Sequence, residues 1–121
     1  MNLKDFIRSI QDYPKKGILF RDITTLIKDK DAFAEAISQI VERSKKYDFD
    51  KIAAIESRGF VFASAVSYIL KKPFIMLRKK NKLPAEVHSV DFELEYGTAT
   101  IEVHKDSINE KDKVLIIDDL I

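Results

Sequence analysis

Three short apolar runs mark out the chain, and each stops abruptly at charge. Ile52-Ala53-Ala54-Ile55 gives way to Glu56-Ser57-Arg58-Gly59, Phe74-Ile75-Met76-Leu77 to Arg78-Lys79-Lys80-Asn81-Lys82, and Val114-Leu115-Ile116-Ile117 to Asp118-Asp119. Runs this short, without alternation, predict strands buried on both faces of a parallel sheet. Phe60 to Leu70 is apolar nearly all round, which predicts a helix packed tightly on that sheet and ended by Lys71-Lys72-Pro73. Strand, helix and strand over 51–78 make a βαβ unit with a right-handed crossover.

Weaker patterns fill the rest. Leu3, Phe6, Ile7 and Ile10 recur at helical spacing and predict a short N-terminal helix, closed by the turn Tyr13-Pro14-Lys15-Lys16-Gly17. Ile18 to Thr25 has no clean period and reads as a connection pinned by Ile18 and Phe20. Phe33, Ile37, Ile40 and Val41 form one stripe of a helix from Asp31, its N-cap, to about Lys46. The basic stretch from Arg78 to Ser89 predicts a mobile loop. Val90, Phe92, Leu94 and Tyr96 then alternate with Asp91, Glu93 and Glu95 in a half-buried strand with its carboxylates outward. Gly97 breaks it, and Ala99, Ile101 and Val103 mark a further strand. The fold class is α/β.

Composition narrows the chemistry. A chain of 121 residues is one domain, and 21 basic against 20 acidic side chains provide no overall field for nucleic acid. With no cysteine there are no disulfides, thiolate nucleophiles or Cys-type zinc sites. His88 and His104 lack ligand partners at useful spacing and read as surface residues. No run reaches membrane-spanning length and the N-terminus is too polar for a secretory signal, so a cytoplasmic protein with no membrane partner is predicted.

Any ligand must therefore be met locally, and the strand ends are the place for it. In an open parallel sheet ligands bind beyond the carboxyl ends of the strands. Here two ends are cationic and one is dianionic, which suits a ligand with a strongly anionic part and hydroxyls or a metal for the carboxylates. Arg58 precedes a glycine at a helix start, where free N–H groups and a guanidinium can share phosphate oxygens. A sugar phosphate fits, although solvated acids capping a following helix would explain Asp118-Asp119 equally well.

Tyr13-Pro14, Gly17-Ile18-Leu19-Phe20-Arg21-Asp22-Ile23-Thr24, Glu56-Ser57-Arg58-Gly59-Phe60, Arg78 to Pro84, Leu94-Glu95-Tyr96-Gly97 and Val114 to Ile121 together resemble the adenine branch of the type I phosphoribosyltransferases, in order and over the whole chain. The resemblance implies a Rossmann-like parallel sheet with an antiparallel strand pair and an N-terminal hood over residues 1–27, all within one domain spanning 1–121. It implies transfer of the phosphoribosyl group of phosphoribosyl pyrophosphate (PRPP) to adenine, giving AMP and pyrophosphate, with Mg2+ and in a homodimer. Leu19, Phe20 and Arg21 would bind adenine. Arg58, Arg78, Lys79 and Lys82 would hold PRPP, with Tyr96 supporting the closed loop and Asp118 and Asp119 on the ribose hydroxyls. Glu95 would protonate or hydrogen-bond the purine near N7. No protein side chain is expected to hold the magnesium directly.

Thr25 and Lys16 stand where many such proteins have proline, and Asn81 where a glycine is common. The larger departure is that the family continues past the Asp-Asp pair with a small Gly- and Thr-rich turn that cradles the 5'-phosphate. The resemblance therefore implies an incomplete domain, its C-terminal part missing, with poor PRPP binding and turnover by these residues alone. A PRPP-sensing regulatory domain is the alternative. A receiver domain is disfavoured, because its acidic pair closes the first strand and here the pair closes the last.

Overall fold

The computed structural model describes residues 1–94 and 97–119, and among them the chain divides into two compact units, Met1–Arg43 and Ser44–Ile121. In the first unit the predicted N-terminal helix is absent. A single 3-10 turn, Leu3–Phe6, is followed by strand β1, Arg8–Gln11, which pairs antiparallel with β2, Leu19–Asp22. Of the four apolar positions only Ile10 falls within β1, and its pairing with Phe20 of β2 overrides the helical spacing. The supposed connection around Phe20 is thus half of a hairpin. Tyr13 closes the turn by donating its N–H to the Ile18 carbonyl at 3.1 Å.

Helix α1, Thr24–Ile27, leads into α2, Lys30–Ser44. Asp29, not Asp31, caps α2: its carboxylate accepts from the N–H groups of Asp31 and Ala32 at 3.1 and 2.9 Å, as an N-cap acid does for the first turn. Ala32, Ala36, Ile37 and Val41 are the buried stripe of α2.

The second unit contains the βαβ pattern as predicted. Strand β3, Lys51–Ile55, is followed by α3, Arg58–Leu70, and β4, Phe74–Lys79. Lys71 ends α3 in the left-handed conformation, φ 56°, and donates its N–H to the Ser67 carbonyl. Strands β5, Val87–Leu94, and β6, Gly97–His104, form a long antiparallel pair, and β7, Val114–Ile116, closes the sheet. The five strands run β5-β6-β4-β3-β7, with β3 parallel to both β4 and β7 and β6 antiparallel to both β4 and β5. Ile52, Ala53, Ala54, Phe62, Ala63, Val66 and Ile75 make the core around β3.

Burial corrects three expectations. Strand β7 is at the sheet edge and leaves Ile116 53% exposed, so it is not buried on both faces. Helix α3 exposes Val61, Tyr68 and Ile69 on the side away from β3. Strand β5 is not half-buried: His88 to Glu93 are all exposed, Val90 by 65% and Phe92 by 40%, because among the described residues nothing covers that face of the ribbon.

Candidate active site at the strand ends

Strand order puts three carboxyl ends side by side. Because β3 lies between β4 and β7 and runs parallel to both, Glu56-Ser57-Arg58, Arg78-Lys79 and Asp118-Asp119 all emerge at the same end of the sheet. Glu56, Ser57, Arg58, Asp118 and Asp119 line an open cleft of about 340 Å3 there. The Glu56–Ser57 peptide is cis.

Helix α3 begins at the floor of this cleft. Ser57 occupies its N-cap position without a side-chain bond to the first turn, so the helix presents backbone N–H groups and the positive end of its dipole. Gly59 allows the helix to start so close to β7. A Cβ there would lie 3.1 Å from Asp118 Oδ1 and 3.2 Å from the Ile117 carbonyl oxygen, tighter than side chains normally tolerate. The glycine therefore puts the Asp118 carboxylate beside the helix N-terminus.

Charges in the cleft are paired. Arg58 Nε is 2.5 Å from Asp119 Oδ2, a contact between charges and not an aligned hydrogen bond, since neither atom has a hydrogen-bond partner of good geometry. Asp118 Oδ1 accepts the Asp119 N–H at 2.8 Å. Burial, reinforced by the Asp119 carboxyl beside it, pushes the Asp118 carboxyl above its ordinary range. Next to them, Glu56 accepts from Arg78 Nε at 2.6 Å and from the Lys79 N–H at 3.2 Å, and the Arg78 bond is the main cause of its lowered pKa.

Arg58, Asp118 and Asp119 thus share one cleft, with Arg78 and Lys79 brought to its edge by β4. Lys82 is exposed in the turn after β4, where its N–H reaches the Lys79 carbonyl. That basic stretch is more built than a simple loop. β4 extends to Lys79, β5 begins at Val87, and the Asn81 N–H is held at 2.9 Å by buried Glu102, which also accepts from Ser89 Oγ at 2.6 Å.

Leu19, Phe20 and Arg21 belong to β2 in the first unit. The Phe20 ring meets Tyr13 edge to face at 5.1 Å, and Arg21 Nη1 donates to Ser9 Oγ at 2.6 Å. Glu95 and Tyr96 lie outside the described residues. Among the described residues no cluster of three or more metal-ligating side chains occurs. Glu56 and Glu102 are two further residues of this region to which the sequence alone assigns no role. Glu56 becomes visible only with the strand register: Ile55 lies opposite Leu77, so the next residues on the two strands are Glu56 and Arg78.

Residues 23–121 match the family model of the phosphoribosyl transferase domain. The chain is 86% identical over 121 residues to an adenine phosphoribosyltransferase of Pelagibacter ubique, covering all of this chain and 69% of that protein. It is 54% identical to the enzyme of that name from Agathobacter rectalis, over 98% of this chain and 68% of that one. Among solved structures, adenine phosphoribosyltransferase from Thermoanaerobacter pseudethanolicus superposes with a TM-score of 0.93 at 47% identity, covering 97% of this chain and 68% of that one. The Saccharomyces cerevisiae enzyme, crystallised with an imino-altritol bisphosphate and adenine, gives 0.88 at 31% identity over 97% and 69% of the two chains.

Proposed function

Because the chain belongs to the adenine phosphoribosyltransferase family, we propose that it works in purine salvage, transferring the 5-phosphoribosyl group of PRPP to adenine with release of pyrophosphate and formation of AMP. The observation that carries this reading is the cleft in which Asp118 and Asp119 face Arg58 at the start of α3. The yeast relative, at 31% identity, was crystallised with adenine. A PRPP-sensing domain finds no support in these comparisons.

The chemistry follows from the charges. Loss of pyrophosphate leaves positive charge on the anomeric carbon while negative charge grows on the leaving group. Arg58, the N–H groups at the start of α3, Arg78, Lys79 and Lys82 would take up the pyrophosphate oxygens. Asp118 and Asp119 would accept hydrogen bonds from the ribose hydroxyls and stabilise the cationic sugar. Phe20 would stack on adenine while backbone groups of Leu19 and Arg21 read its polar edge, with Glu95 at N7 and Tyr96 supporting the closed loop. Closure would exclude water from the activated sugar.

Magnesium suits this donor set only through substrate oxygens and water: two adjacent carboxylates at the cleft and no protein cage are what a hard, reluctantly dehydrated cation accepts. Asp118 and Asp119 would hold it only through intervening water and substrate oxygens, and when bound it would neutralise pyrophosphate charge. We also assign the protein to the cytoplasm, on its lack of cysteine and of any described helix long and apolar enough to cross a membrane. A homodimer is the assembly we favour, since Val61, Tyr68 and Ile69 give α3 an uncovered apolar stripe at helical spacing.

The test is incubation with adenine, PRPP and magnesium of the chain joined to the further length that its Pelagibacter relative has. AMP and pyrophosphate in equal amounts are expected. Binding of PRPP with no transfer to any purine would favour the sensor instead.

A further inference from the structure

Glu56 is at odds with its surroundings. Asp118 and Asp119 in this cleft have ribose hydroxyls to meet, but Glu56 lines the same cleft with a side chain only 9% exposed and has no such partner in the proposed reaction. The bond from Arg78 holds its carboxyl below the ordinary carboxylate range, against the effect of burial. Left alone, such a carboxylate would repel an incoming anion. Its contacts point to a different task. It accepts from Arg78 Nε at 2.6 Å and from the Lys79 N–H at 3.2 Å, so one carboxylate grips both the side chain and the backbone at the end of β4.

A guanidinium has five N–H donors in a planar fork. Occupying Nε fixes that plane and leaves the paired Nη groups, which have no protein partner among the described residues, for bidentate contact with phosphate oxygens. A long exposed cation sampling many rotamers binds anions less well than one already held.

We propose that Glu56 is a positioning residue that fixes the Arg78 guanidinium for the pyrophosphate of PRPP. The proposal rests on the transferase reading for the identity of the ligand, and on the Glu56–Arg78 geometry for the rest. The positioning role predicts the opposite sign from simple electrostatics. If Glu56 were only a neighbouring charge, its removal would tighten anion binding.

Calorimetric titration with magnesium pyrophosphate tests this in the chain extended as above, as wild type, Glu56→Ala, Glu56→Gln, Arg78→Ala and the Glu56→Ala/Arg78→Ala double variant. Glu56→Ala should bind about tenfold more weakly, while Glu56→Gln, which keeps an acceptor for Nε, should remain within about threefold of wild type. In the Arg78→Ala background the Glu56→Ala change should cost nothing further. Unchanged or tighter binding by Glu56→Ala, an equal loss in Glu56→Gln, an undiminished loss without Arg78, or no binding by the wild type would each overturn the proposal.

Should Glu56→Ala fail to fold, the wild type still decides by nuclear magnetic resonance. The Arg78 Nε–H signal should stay protected on saturation with pyrophosphate while its Nη signals move, and loss of that protection would overturn the role. A protein that passes these tests yet makes no AMP would refute the transferase reading and leave this one standing.

Discussion

Arg58 and Asp119 face each other across the cleft with Nε 2.5 Å from Oδ2, and the Asp119 side chain is 9% exposed. The contact joins the first turn of α3 to the segment after β7. Removing the cation leaves a nearly buried carboxylate uncompensated. Arg58→Met is expected to lower stability by about 1–3 kcal/mol, less than for a fully buried pair because Arg58 is partly exposed. Urea denaturation measures it, and an unchanged midpoint would show that the pair contributes nothing.

Asp118 has the opposite character. Burial, with the neighbouring Asp119 carboxyl, raises its pKa, so the folded chain holds that proton more tightly than the unfolded chain does. Stability is therefore gained as pH falls through the raised value and lost as Asp118 ionises. Asp118→Asn should raise the urea midpoint at pH 7 and weaken PRPP binding in the same protein. A variant that is both less stable and equally able to bind PRPP would reverse the assignment.

Acid should act on the first unit through Asp22. Hydrogen bonds from the Thr24 hydroxyl and N–H, then from Arg8, hold this carboxyl near pKa 2 against an ordinary 3.8. A depressed carboxyl stabilises the fold above its unfolded pKa and loses that contribution as pH falls towards its folded value. Denaturation midpoints of wild type and Asp22→Asn should differ most above pH 4 and converge near pH 2. A difference that stays constant over this range would exclude the linkage.

Glu102 fastens the turn after β4. Glu102→Ala removes the acceptor for the Asn81 N–H and for Ser89 Oγ together. Hydrogen exchange at the Asn81 amide should then quicken by about tenfold, as expected for loss of a bond to a charged group. Exchange at the β3 amides should not change. Equal acceleration in both places would mean general destabilisation and not release of the turn.

The parts of the fold legible in the sequence are those whose signal is local. The apolar runs at Ile52, Phe74 and Val114 and the helix between the first two needed no knowledge of their partners, and the charge at their ends located the cleft. The N-terminal segment was misread because Leu3, Phe6, Ile7 and Ile10 satisfy a helical period, whereas the pairing of Ile10 with Phe20 is non-local. The cap of α2 shifted from Asp31 to Asp29 because two acids stand within one turn and only backbone geometry selects between them. Alternation in β5 was visible, but not that Val90 and Phe92 would stay exposed, since periodicity says which residues share a face and not what covers it. Glu56 required the register of two strands before its role could be seen.

The central claim is that the cleft between α3 and β7 holds PRPP for transfer to adenine. It is tested most directly by following radiolabelled adenine into AMP with PRPP and magnesium, comparing the wild-type sequence, extended as described above, with its Asp118→Asn/Asp119→Asn variant. Conversion by the wild type and a loss of at least about a hundredfold in the variant are predicted, the size expected when electrostatic groups at a transition state are removed. Equal conversion by both, or adenine left unconverted by the wild type, would contradict the account.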